Sequence, residues 1–147
     1  MTTSLDVPEV ETCAFCEYLS GARAYTILRR DALTATFVTR EQRGVGHVLV
    51  LPIVHRETIL DLTSEEACAL ILSVRTAAGA ISQSELVAGI SIWQNNGVPA
   101  DQTIPHVHFH VAGTLPAGGT ERGDVPELTV SQTDIIGRRL RAHLDVR

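Results

Sequence analysis

Three of the six histidines fall at alternate positions of one short run, Pro105-His106-Val107-His108-Phe109-His110-Val111. Alternation of this kind, with Val and Phe between the imidazoles, predicts a β-strand. Side chains at i, i+2 and i+4 of a strand share one face, roughly 6.5–7 Å apart. The three imidazoles are therefore expected in a row on one side, with Val107, Phe109 and Val111 turned into a core on the other. Strand propensity asks for no such row. Besides a solvated polar face that happens to use histidine, the run supports a metal site or a catalytic histidine with supporting groups. A second group of chemically capable residues is Thr12-Cys13-Ala14-Phe15-Cys16. Two thiolates at CxxC spacing can share one tetrahedral ion. The pair neither follows a strand nor opens a long helix, so half of a zinc site is a better reading than a thioredoxin-like redox pair. No second CxxC exists, and the remaining ligands must come from elsewhere.

The elements that must position these groups can be read in chain order. Runs from Tyr25 to Arg30 and from Leu33 to Thr39 predict two strands joined by a hairpin turn at Asp31-Ala32. Gly44 and Gly46 precede a further strand, His47-Val48-Leu49-Val50-Leu51, stopped by Pro52, with His55 just beyond it. Thr63-Ser64-Glu65-Glu66 has the form of a capping box. Ala67, Leu70, Ile71, Val74, Ala78 and Ile81 then recur at helical spacing and predict a helix to about Gln83 with one apolar face. Cys68 is expected inside that face as an inert core thiol. A strand from Val87 to Gln94 and a polar loop, Asn95 to Thr103, lead into the histidine run. Thr114 to Glu127 is rich in Gly and Pro and is expected to be a mobile loop. Ser131 is expected to cap a last amphipathic helix carrying Ile135, Ile136, Leu140 and Leu144. The order β-β-β-α-β-β-α predicts an α+β fold: an antiparallel sheet with a long helix packed on it and a C-terminal helix.

A chain of 147 residues fits a single domain over 1–147, its core at about 12–113 and a C-terminal loop and helix in 114–147. The hydrophobic fraction of 44% and charged fraction of 20% are those of a soluble globular protein. Net charge is −5 and the twelve basic residues form no block, which argues against a nucleic-acid partner. A small anionic ligand stays compatible, because backbone N–H groups bind phosphate even in an acidic protein. Met1 to Glu11 has neither a basic n-region nor an apolar h-region, and no run approaches membrane-spanning length, so no membrane association is expected. Three cysteines cannot all pair within one chain, which fits a reducing, cytoplasmic setting.

The run His106-Val107-His108-Phe109-His110-Val111 resembles the signature of the histidine-triad (HIT) family, HφHφH followed by two apolar positions. Cys13-Ala14-Phe15-Cys16, Gly46-His47-Val48-Leu49-Val50-Leu51-Pro52 with His55 three further on, and Asn95-Asn96-Gly97 before Gln102-Thr103 fall in the same order and spacing. The resemblance covers about residues 12 to 112 and points to the bacterial, zinc-carrying kind. It implies a HIT-like α+β fold, usually a homodimer, that transfers or hydrolyses nucleotidyl groups at an α-phosphate. By the same resemblance His108 is the nucleophile: a neutral imidazole with Nε2 aimed at phosphorus and Nδ1–H donated to the His106 carbonyl. His110 looks like the member that contacts the phosphoryl oxygens. Asn95, Gln102 and Thr103 supply donors to the phosphate, and Gln102 also looks suited to contact the leaving group. The resemblance assigns one structural zinc per chain to Cys13, Cys16, His55 and His106, a closed tetrahedral set with no open position for water. A metal-free CxxC is the alternative.

Three places in the chain depart from the family pattern. Relatives usually carry Asp at the end of a Phe-apolar-Asp run, where its carboxylate binds both ribose hydroxyls. Here the run is Phe37-Val38-Thr39, and Thr39 can offer one hydrogen bond but no bidentate clasp. Asp101 stands where Gly is common, and could repel a polyphosphate or bind a cationic leaving group. Ala112-Gly113 replaces the frequent Pro-Arg. Three classes of function follow. The leading one is a nucleotidyl hydrolase or transferase acting on nucleoside phosphoramidates or adenylates through a nucleotidyl-histidine, with dinucleoside polyphosphates as the alternative within the class. The second is a nucleotide-binding or regulatory protein with little turnover. The third is a hydrolase whose catalytic metal is held by the triad itself.

Overall fold

The computed structural model describes residues 5–144, so both ends of the 1–147 span lie outside the described residues. Five strands form one sheet: β1 (Ile27–Arg30), β2 (Thr34–Val38), β3 (Val45–Pro52), β4 (Ile90–Trp93) and β5 (Phe109–Gly113). Their spatial order is β1-β2-β3-β5-β4 and every pairing is antiparallel. Three helices accompany them: α1 (Ala14–Ser20), α2 (Ser64–Glu85) and α3 (Val130–Arg141). The α+β arrangement expected from the element order is the one observed, with α1 as an addition. Among the described residues no helix is long and apolar enough to cross a membrane.

The period-two pattern of β3 explains the layering. Val48 and Val50 face one way, where Val38, Val111 and Leu28 meet Leu70, Val74, Ala77 and Ile81 of α2 and Leu140 of α3. Leu49 and Leu51 face the other way, against Ala35, Phe37 and Phe15 of α1. Both faces are covered, and β2 is buried along its whole length. On the α1 side, paired positions form a row across the sheet: Ile27 opposite Phe37, Phe37 opposite Leu49, Leu49 opposite His110, and His110 opposite Trp93. Gly46 (φ 64°) lies where the β3–β5 register shifts between Val45 and Val48. A Cβ on Gly44 would stand 2.5 Å from the Gly113 carbonyl oxygen, so the close approach of these backbones requires glycine.

The structure corrects several expectations. The strand carrying the triad starts at Phe109, so His106 and His108 precede it and only His110 is paired in the ladder. Pro52, at the end of β3, has no N–H to continue the pairing. The His106 and Val107 N–H groups turn instead to the carbonyls of Ile104 and Arg56, each at 2.8 Å. The Thr63 capping box is present, and α2 runs two residues past Gln83. Its buried face, however, uses Glu66, Leu70, Ser73, Val74, Ala77, Ala80 and Ile81. Ile71 is 57% exposed and Cys68 is exposed, so neither belongs to the core face. At 100° per residue, positions 68 and 72 lie on the side opposite to 70, 74, 77 and 81, and 71 lies on the flank between the two sides. Apolar residues at these positions face solvent. Thr129, not Ser131, caps α3, exchanging hydrogen bonds with Gln132 in a second capping box. Ile135 is 49% exposed, while Thr133 and Gly137 occupy buried positions of that helix. Residues 114–127 contain no helix or strand, but they are tied to the 40–43 segment. Glu121 N–H bonds Arg43 O at 2.7 Å, Leu128 N–H bonds Arg40 O at 2.8 Å, and Glu41 forms an isolated bridge with Glu127.

Candidate active site and metal centre

The N-terminus of α1, the end of β3 and the approach to β5 bring Cys13, Cys16, His55 and His106 together, their ligand atoms all within 4.8 Å of one another. Cys13 is the N-cap of α1, its sulfur accepting the Cys16 N–H at 3.5 Å. Four of the six separations match the edges of a metal tetrahedron. Cys13 Sγ lies 3.5 Å and Cys16 Sγ 3.6 Å from His106 Nδ1, Cys16 Sγ lies 3.4 Å from His55 Nδ1, and the two Nδ1 atoms are 3.3 Å apart. Bond lengths of ~2.3 Å to sulfur and ~2.0–2.1 Å to nitrogen give tetrahedral edges of ~3.5 Å for S–N and ~3.3 Å for N–N. His106 Nε2–H donates to Pro52 O at 2.8 Å, which leaves Nδ1 a bare lone pair aimed into the cluster. A cation placed between this nitrogen and His55 Nδ1 would meet both lone pairs and both sulfurs at once. Burial, with Cys13 adding to it, pushes the Cys16 thiol up to about 11. A bound cation supplies the charge that ionises such a thiol. These residues fit a closed four-ligand metal site.

The other two triad members face the cavity beside this cluster. His108, 8% exposed, has Nδ1 2.8 Å from the His106 carbonyl oxygen. A carbonyl only accepts, so Nδ1 carries the proton and Nε2 a free lone pair. Burial holds this imidazole below its ordinary value, and the Phe15 ring stands edge-on to it, 4.9 Å away at 87°. His110 is anchored by a residue that sequence reasoning did not single out for chemistry. His47 is 1% exposed, and its Nε2 lies 3.0 Å from His110 Nδ1. The Glu41 carbonyl is also near His47, but the Arg43 N–H is the group that meets hydrogen-bond geometry, donating to His47 Nδ1 at 3.1 Å. The proton of His47 is therefore on Nε2 and is donated to His110 Nδ1, which leaves His110 with its own proton on Nε2. Burial is the main cause that lowers His47 to about 3 and His110 to about 2, so both rings stay neutral. The signal that could have found His47 is its parity with Leu49 on β3, which puts it on the triad's side of the sheet.

A cavity of about 290 Å³ opens over these rings, its walls including Phe15, Thr39, His47, Thr103, His108 and His110. Asn95 and Gln102 are not among its walls. Gln102 is 3% exposed; its Oε1 accepts the Gly97 N–H at 2.7 Å, and its Nε2 donates to the carbonyls of Glu57 at 2.8 Å and Ile104 at 2.9 Å. Asn95 Nδ2 donates to Ala100 O at 2.5 Å. Both amides hold the 95–104 loop in shape. Asp101 caps a 3-10 turn in that loop with φ 68°, a conformation in which Gly is the least strained residue. The sequence-assigned residues thus fall into three places: the metal cluster, the cavity wall, and the loop behind the wall.

Comparison with known proteins adds three findings. The family model for the HIT domain matches residues 22–116. An adenosine 5'-monophosphoramidase of Schizosaccharomyces pombe is 35% identical over 68% of this chain and 72% of its own length. Two solved structures share the fold. A Hit-like protein involved in cell-cycle regulation from Bartonella henselae gives a TM-score of 0.84 at 20% identity, covering 94% of this chain and 99% of that one. A Zn-bound histidine triad family protein from Mycobacterium smegmatis gives 0.78 at 27% identity, over 90% and 93% of the two chains.

The Gln102 geometry has a measurable consequence. Gln102→Ala leaves the buried Gly97 N–H without its acceptor and removes the donor of two carbonyls, costing about 1–3 kcal/mol for the unsatisfied group. Chemical denaturation is expected to show that loss in the variant before any substrate is added. A variant as stable as the parent would mean that the side chain is free to serve a ligand.

Proposed function

The chain belongs to the HIT family, and on that premise we propose that it is a nucleotidyl hydrolase or transferase cleaving nucleoside phosphoramidates or adenylates at the α-phosphate. The observation that carries this reading is the hydrogen bond from His108 Nδ1 to the His106 carbonyl, at 2.8 Å. It fixes a neutral imidazole whose Nε2 lone pair is free at the cavity wall. In-line attack of that nitrogen on phosphorus forms a P–N bond as the bond to the leaving group breaks. The leaving group departs with the electron pair and, when it is an amine, takes a proton from water. Attack by a second water then cleaves the phosphoramidate, returns the lone pair to Nε2 and releases the nucleoside monophosphate, the water's proton passing to the hydroxide left by the first or to bulk water. His110 presents Nε2–H to the phosphoryl oxygens as a neutral donor, with Thr103 beside it. Thr39 takes the sugar side of the cavity. Gln102 and Asn95 act on the phosphate through the loop they shape. The free thiols suit work in the cytoplasm.

Zinc is the metal we assign to Cys13, Cys16, His55 and His106; two sulfurs and two imidazoles are its characteristic set. With four protein ligands it is structural, tying α1 to the segment that carries His108. Elemental analysis of protein purified without added metal is expected to give about one zinc per chain, with a large loss in Cys16→Ala. Full zinc retained after replacement of both cysteines would reject this ligand set.

A homodimer is the assembly that fits the outward surface. The edge strand β4 exposes Ile92, and α2 exposes Ile71 and Leu72, each more than half accessible at 52%, 57% and 52%. Light scattering at micromolar concentration should report twice the chain mass. A monomer at that concentration would count against the assembly.

The enzymatic reading stands or falls on one comparison. Adenosine phosphoramidate is expected to be hydrolysed, and His108→Ala to lose activity by roughly three or more orders of magnitude, since the covalent route has no substitute in the site. The variant should keep its fold and zinc, because His108 is not a ligand. Nucleotide binding without His108-dependent turnover on phosphoramidates, adenylates and dinucleotides would leave a binding protein instead. Turnover that survives in His108→Ala but is abolished by chelation would point to a catalytic metal.

A further inference from the structure

We propose that Trp93 is the positioning residue of His110: its indole face fixes the imidazole plane and keeps water away from it, so that His110 serves as a neutral Nε2–H donor. The two rings are stacked, with centroids 4.6 Å apart and planes only 4° from parallel. Register produces this contact. Trp93 is the residue of β4 directly opposite His110 on β5, and side chains of such a pair lie on one face within contact distance. The remaining neighbours of His110 hold its edges but leave that face to Trp93. His47 from β3 bonds Nδ1 at 3.0 Å, its ring centroid 5.2 Å away and tilted by 39°. His108 from the same segment is 4.9 Å away and tilted by 58°. Leu49 is the partner on the opposite flank.

Trp93 sits on the last strand of the sheet, where a smaller side chain would leave His110 open to solvent. The indole also lies 5.1 Å from His47, so one large ring covers both members of the hydrogen-bonded pair. The charged and titratable groups facing His110 are His47, His108 and the Arg43 guanidinium, and all three disfavour a further positive charge on it. Burial is nevertheless the largest cause of its lowered basicity, and Trp93 supplies part of that burial. The sign follows. Loss of the indole raises the basicity of His110 toward that of a free imidazole, so the imidazolium forms at a higher pH. A protonated His110 has a proton on Nδ1 as well, which breaks the bond from His47 and lets the ring turn. Activity should therefore fall off at a higher pH on the acid side.

This inference rests on the hydrolase reading for its kinetic arm alone, and nitrogen-15 NMR of the histidine rings in the zinc-loaded protein tests it separately. In the unaltered protein, His110 is expected as the Nε2–H tautomer with no protonation above about pH 5. Trp93→Phe, which keeps a stacked ring, should preserve that behaviour. Trp93→Leu, which fills space without an aromatic face, should move the His110 midpoint up by about one pH unit or more. It should also lower kcat by up to about tenfold at pH values below the shifted midpoint with little change in KM, and shift the acid limb of the rate profile with the NMR midpoint. An Nδ1–H tautomer or an ordinary midpoint near pH 6.5 in the unaltered protein would overturn the proposal. So would a Trp93→Leu protein whose His110 titration and acid limb match the parent. Expected ring shifts in a protein without turnover support the positioning role and reject only the hydrolase reading.

Discussion

His106 is the residue on which the site depends, because both its ring nitrogens and its carbonyl have different tasks. Its Nε2–H is donated to Pro52 O at 2.8 Å, which joins the run to the end of β3. Its Nδ1 faces two thiols and His55 in the metal cluster. Its carbonyl accepts the His108 proton at 2.8 Å and thereby sets the tautomer of the neighbouring ring. A side chain that is 0% exposed can direct these groups with little freedom to rotate. The Cys/His cluster thus orients the His108 ring without touching it. The same cluster fixes α1, whose Phe15 packs edge-on to both His106 and His108. A folded N-terminal segment and a correctly protonated His108 are one structural condition.

The end of the sheet reinforces that condition from the other side. Arg56 follows His55 and gives its carbonyl to the Val107 N–H at 2.8 Å. Its guanidinium meets the buried carboxylate of Glu66 at 3.1 Å and 3.2 Å, and Glu66 also closes the capping box of α2 by accepting the Thr63 N–H at 2.8 Å. Buried ion pairs contribute little net stability against an apolar replacement, and their value lies in orientation. Here the pair relates the start of the long helix to the stretch between His55 and the triad. Glu66 is held below the usual carboxylate range despite burial, because the Thr63 N–H and Arg56 favour its charged form.

Much of this was legible in the sequence for identifiable reasons. The α+β order follows from one helical and several alternating runs, and the capping box at Thr63 marked the start of α2 to the residue. Cys13, Cys16, His55 and His106 were assigned as one set through the family resemblance; spacing alone gave only the two cysteines. Three kinds of feature escaped. Strand ends depended on where partners stop, and Pro52 on a neighbouring strand shortened the triad strand from His106 to Phe109. Helix faces were blurred by apolar residues that point outward, as Cys68 and Ile71 do. Contacts across the sheet were invisible without register: His47 and Trp93 converge on His110 from two different strands. A polar side chain in a loop was also a poor guide to its partner. Gln102 looked like a free donor because nothing local announced three backbone partners at residues 57, 97 and 104.

The division of labour within the cavity follows from those contacts. The triad end is built from β3, β4 and β5 and the stretch that leads into β5: pairing holds His110 and Trp93, and backbone carbonyls hold His106 and His108. The far end is built by segment 39–43 against residues 121–128. There Arg40 bonds Leu128 O at 2.6 Å and faces Glu127 at 3.7 Å, while Arg43 bonds the Gly123 carbonyl. Thr39 accepts the Glu41 N–H at 3.2 Å, which gives its hydroxyl a local partner where the family commonly has a carboxylate. These are contacts between irregular segments at the surface, and such segments tolerate change in length and sequence far better than paired strands do. Chemistry and recognition are therefore under different physical constraints in this fold. The histidine constellation cannot drift without losing its tautomers, whereas the far end of the cavity, where we place the nucleoside, can be rebuilt by substitutions such as Thr39 while the strands beneath stay as they are. That separation is why the reaction class can be argued from the triad, and why the substrate has to be read from the rim.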